Sequence, residues 1–375
     1  MTRTLVIGGG PAGLAAAWAA AQSGQAVTLL DDNPALGGQI WRGHIPARYR
    51  RFLDPRITVQ TGVQIHSASQ LPPADRIILA TGTRELFLPF PGWTLPHVLG
   101  AGGLQALVKG GLPIAGKRVV VAGSGPLLLA VAAYLRRRGA KILLVAEQAP
   151  YPRIAAFTRG LWRHPAKLLE AAQLGFGLRY RPDSWPLRAD PGSVTLQGHG
   201  VIPCDYLACG FGLVVNTELA ELLGCRVENE RVLTDPDQRT TVPHIFFAGA
   251  GSVDRSLLEG QIAGFGPERG RALHAARAAA VAFDRRIDET FALRPELSSL
   301  TTPDTIVCRC EDVPFRAIWP HRDWRSAKLQ TRCGMGPCQG RICGPALAHL
   351  CGWPAASVRP PLFPTRLENL LDLRD

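Results

Sequence analysis

The chain has no apolar stretch of eighteen residues, so no membrane-spanning helix is expected. It has no run of five or six like charges, and its basic residues are rarely interleaved with aromatics. Lys and Arg total 42 against 30 Asp and Glu, and the resulting +12 comes almost entirely from arginine. Without charge runs, that balance reads as a basic surface or acidic partners, and no nucleic-acid partner is expected. Met1-Thr2-Arg3-Thr4 runs straight into a strand-like segment, which leaves no room for a signal peptide. Nine cysteines in 375 residues are too sparse for a disulfide scaffold. No Cys-x-x-Cys or Cys-x(4)-Cys follows Gly38 or occupies the middle of the chain, which disfavours dithiol–disulfide chemistry. No acid–base constellation stands out, because His44, His97, His244 and His321 lie in unrelated segments; no catalytic residue is assigned. What is present is globular: 46% hydrophobic residues, 40 glycines and 31 prolines, enough chain for two or three domains.

Leu5-Val6-Ile7 reads as a buried strand, followed by Gly8-Gly9-Gly10-Pro11-Ala12-Gly13 and an alanine-rich helical run that Gly24 can stop. Ala26 to Leu30 is the next strand and ends at Asp31-Asp32. This is a G-x-G-x-x-G fingerprint in its strand–turn–helix setting. Gly8 makes the tight turn, Gly10 lets backbone approach a pyrophosphate, and Gly13 lets helix and strand pack closely. The helix start at Pro11 and Ala12 offers N–H groups to phosphates. Asp31 can accept from ribose hydroxyls, with Asp32 as the near alternative. Leu36-Gly37-Gly38-Gln39 and Ala80-Thr81-Gly82 resemble the flavin-bordering segments of the two-dinucleotide-domain flavoproteins. The stretch between Gln39 and Ala80 is short for that superfamily, so some of its usual helix is expected to be trimmed.

Arg118 to Val121, Ala122-Gly123-Ser124-Gly125-Pro126, a helical run to Arg138 and the strand Lys141 to Val145 repeat the same plan. Leu128 replaces the third glycine, which crowds the helix–strand contact and speaks against NAD(P)H binding. Cys204 to Gly210 and Asn216 to Leu219 resemble the return from an inserted domain. Val242 to Gly249 resembles the last flavin-contacting strand, where Ala250 replaces an expected aspartate. FAD is favoured at the first site, and another adenine nucleotide stays open.

Six of the nine cysteines lie after position 300. Cys308-Arg309-Cys310-Glu311-Asp312-Val313 and Thr331-Arg332-Cys333-Gly334-Met335-Gly336-Pro337-Cys338-Gln339-Gly340-Arg341 give a Cys-x-Cys … Cys-x(4)-Cys pattern suited to a [2Fe–2S] centre. Zinc is the metal rival, though it favours wider knuckles. Arg309, Arg332 and Arg341 could offset the cluster's negative charge, and the glycines let N–H groups turn toward sulfur. Cys343 is a spare that could substitute, Cys351 is farther off, and Cys204, Cys209 and Cys225 read as small core residues.

These marks together, with Gly37-Gly38-Gln39-Ile40 and Gly123 to Leu129, resemble the alpha subunit of bacterial heteromeric amino-acid dehydrogenases. That group includes opine oxidase, hydrogen cyanide synthase and D-hydroxyproline dehydrogenase, and is related to the sarcosine oxidase alpha subunit. The resemblance covers nearly the whole chain. It implies an α/β fold of two nested Rossmann-like, glutathione-reductase-like domains and a small BFD-like cluster domain. The expected boundaries are 1–115 and 216–298 for the FAD-binding domain, 116–215 for a degenerate NAD-type insert, and 299–375 for the cluster domain and tail.

The resemblance further implies FAD and a [2Fe–2S] cluster on Cys308, Cys310, Cys333 and Cys338, with FMN at a subunit junction as a further option and NAD(P) disfavoured. A flavoprotein beta subunit would oxidise the amine, with a small gamma subunit optional and a quinone or respiratory acceptor downstream. The location implied is cytoplasmic, with attachment to the inner membrane only through partners. A self-sufficient NAD(P)H-dependent reductase and a scaffold with vestigial sites are the alternatives. The proline-rich tail Arg359 to Pro364 is either a strap onto a partner or an ordinary packed terminus.

Overall fold

The computed structural model describes residues 1–354 and 358–368. The chain divides into two compact units, one formed by 1–84, 214–285 and the end of the chain, the other by 85–213 and 286–356.

The first unit is built on a five-stranded parallel sheet. Its order is Ile245–Phe247, Arg76–Leu79, Arg3–Ile7, Ala26–Asp31 and Thr58–Thr61. Central strands buried on both faces need continuous apolar runs, and Leu5-Val6-Ile7, Leu29-Leu30 and Ile77-Ile78-Leu79 supply them. The helix Pro11–Gln22 is buried on almost every side, which is why its alanines show no polar face. The helix Val253–Phe265 crosses it at backbone contact: a Cβ on Gly260 would lie 2.1 Å from the Ala12 carbonyl oxygen, and one on Gly264 2.3 Å from that of Ala16. Between Gln39 and Ala80 only short helical turns remain (Gly38–Trp41, Ala47–Phe52 and Ala68–Gln70), as the trimmed segment led us to expect.

The second unit repeats the architecture in the order Val98–Gly100, Tyr206–Gly210, Arg118–Gly123, Lys141–Glu147 and Tyr180–Arg181, again parallel. An antiparallel meander follows, Pro186–Asp190, Ser193–Leu196 and Gly200–Pro203. This unit begins at 85, about thirty residues before the expected boundary. The physical reason is packing: Phe87, Phe90, Trp93 and Val98 share one core with Val120, Leu144 and Leu207. The cysteine-bearing segment has its own small core of Val307, Phe315, Ile318, Trp324 and Leu347 around Cys308, Cys333 and Cys343.

The tail settles as a packed terminus over its described part. Leu362 is buried with Val358 and Phe363 against the first unit's core, and its N–H donates to the His66 carbonyl at 2.9 Å. Residues 369–375 lie outside the described residues.

Candidate functional site

The first glycine loop turns tightly because only Gly8 tolerates φ 107° there, with the Ala80 carbonyl beneath it. Gly13 is fixed by close approach, since a Cβ would sit 1.7 Å from the Gly8 carbonyl oxygen. By contrast, the nearest atom to a Cβ on Gly10 is the Gly38 Cα at 3.9 Å. Pro11 opens the helix, and no side chain caps its first N–H groups. Those uncapped donors are the anion-binding feature of a helix start.

The other expected residues gather at the same place within the first unit. Gly38 packs backbone to backbone on Gly10, and the Gly37 N–H donates to the Gly9 carbonyl at 2.8 Å. The Gln39 side chain is exposed and accepts from the Arg42 guanidinium. Thr81 and Gly82 are clasped by Asn216: the Thr81 hydroxyl donates to the Asn216 carbonyl at 2.7 Å, the Asn216 side-chain amide to the Thr81 carbonyl at 2.8 Å, and the Asn216 N–H to that of Gly82 at 3.0 Å. Gly249 lies against Ala12, and Ala12, Ala80 and Ala248 form one small apolar floor.

Asp31 is buried and accepts from the Gly9 N–H, the Asn33 N–H at 2.7 Å and the Asn33 side-chain amide at 2.9 Å. A carboxylate has about four acceptor positions, so roughly one is left for a ribose hydroxyl. Asp32 is solvent-exposed, takes the Asn33 amide at 2.8 Å, and its carboxyl is raised by partial desolvation and by the Asp31 charge.

Ala250 packs among the apolar residues of the first unit. Sequence reasoning missed what stands beside it. Glu259, nearly fully buried, accepts from the Gly249 N–H at 3.2 Å and pairs with Arg255 at 2.7 Å and Arg277 at 3.2 Å. Asp284 accepts from the Ser252 N–H at 3.1 Å. The turn that lacks the usual aspartate is thus held from behind by buried carboxylates.

The second glycine loop is arranged differently. Leu128 is fully buried in the core with Val119, Val121 and Val131. Glu147, at the end of its strand, accepts from Gly125 N–H at 2.8 Å, Ala149 N–H at 2.9 Å and the Tyr180 hydroxyl at 3.4 Å, and burial pushes its carboxyl up to about 7. The chain's own segment around Phe291 covers this loop. Ser124 donates to the Phe291 carbonyl at 2.8 Å, and the Gln148 amide to the Phe291 and Ala292 carbonyls at 3.2 and 3.3 Å. Arg294 reaches the Gln148 carbonyl and lies over Trp185. No local signal could reveal this, because the contacts span well over a hundred residues of sequence.

In the last segment five thiols converge. The sulfurs of Cys308, Cys333 and Cys343 lie within 4.8 Å of one another, and all three residues are buried. Cys338 touches both Cys343 and Cys310, and Cys310 is exposed. Thiols of Cys333 and Cys343 directed at Cys308 hold it down at about 2, while Cys343 itself is pushed far up by its three sulfur neighbours. Backbone N–H groups of Glu311 and Gly334 point at Cys308, and those of Gly340 and Ile342 at Cys338. Arg332 is engaged by Glu311 at 2.8 Å, and Arg341 reaches the Cys338 carbonyl. Cys204, Cys209 and Cys225 are buried core residues, with burial raising their thiols.

The family model for pyridine nucleotide-disulphide oxidoreductases matches residues 2–280. The chain belongs to that family. As a member of the pyridine nucleotide-disulphide oxidoreductases it is an FAD-dependent oxidoreductase. Among curated proteins it is 28% identical to the first of the opine oxidase subunits of Agrobacterium tumefaciens (strain Ach5), over 98% of this chain and 91% of that one. It is 30% identical to hydrogen cyanide synthase subunit HcnB of Pseudomonas aeruginosa, over 91% and 90%. The expected resemblance to these subunits is therefore found. The fold matches the crystal structure of L-proline dehydrogenase from P. horikoshii with a TM-score of 0.66 at 16% identity, over 100% of this chain and 79% of that one. Among the described residues no helix is long and apolar enough to cross a membrane.

Proposed function

We propose that this chain is the electron-transfer subunit of a heteromeric dehydrogenase acting on an amino acid or secondary amine, carrying FAD and a [2Fe–2S] cluster. One observation carries the reading: five thiols meet on a chain that also holds a glycine-lined nucleotide site. The names of its relatives, subunits of opine oxidase and hydrogen cyanide synthase, support a partner subunit on which the amine is oxidised.

The residues suit both groups. The open face of Gly10, the uncapped helix start and the remaining acceptor position on Asp31 fit an adenine dinucleotide, with Gly38, Thr81 and Gly249 bordering it. Contacts run from Cys310 to Cys338, from Cys338 to Cys343 and from Cys343 to Cys308, closing a ring of four. Cys333, placed in the ligand set by the spacing, stands behind the Cys308–Cys343 edge; we therefore assign the fourth ligand to Cys343. Bound together, a flavin and a [2Fe–2S] centre convert two-electron to one-electron transfer. This chain's residues bind, orient and screen: the inward N–H groups stabilise sulfur charge, and the Phe291 segment denies NAD(P)H the second loop.

The test is a reconstitution with the flavoprotein partner that co-purifies with this chain. An amine substrate should bleach the flavin and cluster absorbance only when the partner is present, and NADH should bleach neither. Bleaching of the isolated chain by NADH would instead establish a self-sufficient reductase.

A further inference from the structure

Between the strands Lys141–Glu147 and Tyr180–Arg181 the chain makes two helices, Tyr151–Gly160 and Pro165–Gly175, and neither contains a buried residue. A surface helix of a soluble domain hides one apolar stripe and shows a charged one. Here the apolar stripe is outside. Ala166, Leu169, Ala172 and Phe176 follow helical spacing and are all exposed, while Lys167, Ala171 and Leu174 are the half-buried positions. Phe176 is 80% exposed, Trp162 in the connecting turn 69% and Leu169 59%.

The charge around this stripe has one sign. Residues 151–181 hold six Lys and Arg and a single acid, Glu170, which is tied to Lys167 at 3.2 Å. The helix Leu127–Arg137, which packs on Pro165–Gly175, adds Arg137 and Arg138 at its end, and Arg136 donates to the Phe176 carbonyl. Arg163 lies over the Trp162 ring at 5.3 Å.

We propose that this hairpin is a peripheral docking surface for an anionic lipid membrane. Its arginines meet phosphate headgroups while Trp162, Leu169 and Phe176 enter the boundary with the acyl chains. Charge interspersed with apolar tips, and an aromatic beside its own guanidinium, favours lipid over a protein partner, whose interface centre is depleted of charge. The proposal stands apart from the electron-transfer reading: it needs neither cofactor.

The test is co-sedimentation of the full chain with vesicles of phosphatidylcholine alone or with added phosphatidylglycerol. The expected result is binding only to the anionic vesicles, weakened by salt and reduced at least tenfold by Trp162→Glu with Phe176→Glu, changes at exposed positions that leave the core intact. Absence of binding to anionic vesicles overturns the proposal, as does binding that the double variant leaves unchanged. A self-association dissolved by the same variant, without lipid binding, overturns it in favour of a protein interface.

Discussion

Two cysteines separate the two ways of filling the fourth ligand position. Cys333 and Cys338 have the same spacing as Cys338 and Cys343, so spacing alone cannot choose between the outer two. The structure can, because Cys343 opens the helix Cys343–Cys351 and turns its thiol back toward Cys308. Cys343→Ala is expected to abolish bound iron and visible cluster absorbance, whereas Cys333→Ala retains both; the reverse pattern restores the spacing-based set. A second residue-level prediction concerns Glu147, whose carboxyl rises from 4.5 to about 7 through burial. Below pH 4.5 it is protonated folded or unfolded. Between pH 4.5 and 7 the unfolded chain releases the proton while the folded chain keeps it, so stability falls as pH rises, by on the order of 3 kcal/mol in all. Urea unfolding across that range should show this loss in the native chain and its near absence in Glu147→Gln.

At the scale of elements, the nucleotide fold was legible because its signals are local. Gly8, Gly10, Gly13 and Asp31 lie within one strand–helix–strand unit, and each has a physical reason that a single unit dictates. The helix Val253–Phe265 was not legible as the lid of the helix Pro11–Gln22, since its meaning lies in glycines that meet a distant backbone. Gly264→Val would drive side-chain atoms into the Ala16 carbonyl and Ala19 Cβ. A cost of about 3 kcal/mol in denaturant unfolding is expected; a neutral variant would contradict the close crossing. The buried carboxylates behind Ala250 escaped notice for a similar reason: Glu259 and Asp284 sit in helices whose other residues look like ordinary surface.

At the scale of the whole molecule, two nucleotide-type folds serve different ends. The first keeps an open glycine and an uncapped helix start, while the second buries Leu128, raises Glu147 and is covered by the segment around Phe291. Residues that bind a dinucleotide survive in one copy, and residues that pack survive in the other. Electrons are then expected to reach this chain from a partner and not from NAD(P)H. The most direct measurement is the metal and acid-labile sulfide content of anaerobically purified protein, with its electron paramagnetic resonance spectrum after dithionite reduction. The account predicts two irons and two sulfides per chain and a reduced-cluster signal. Stoichiometric zinc, with no paramagnetic signal on reduction, would contradict it.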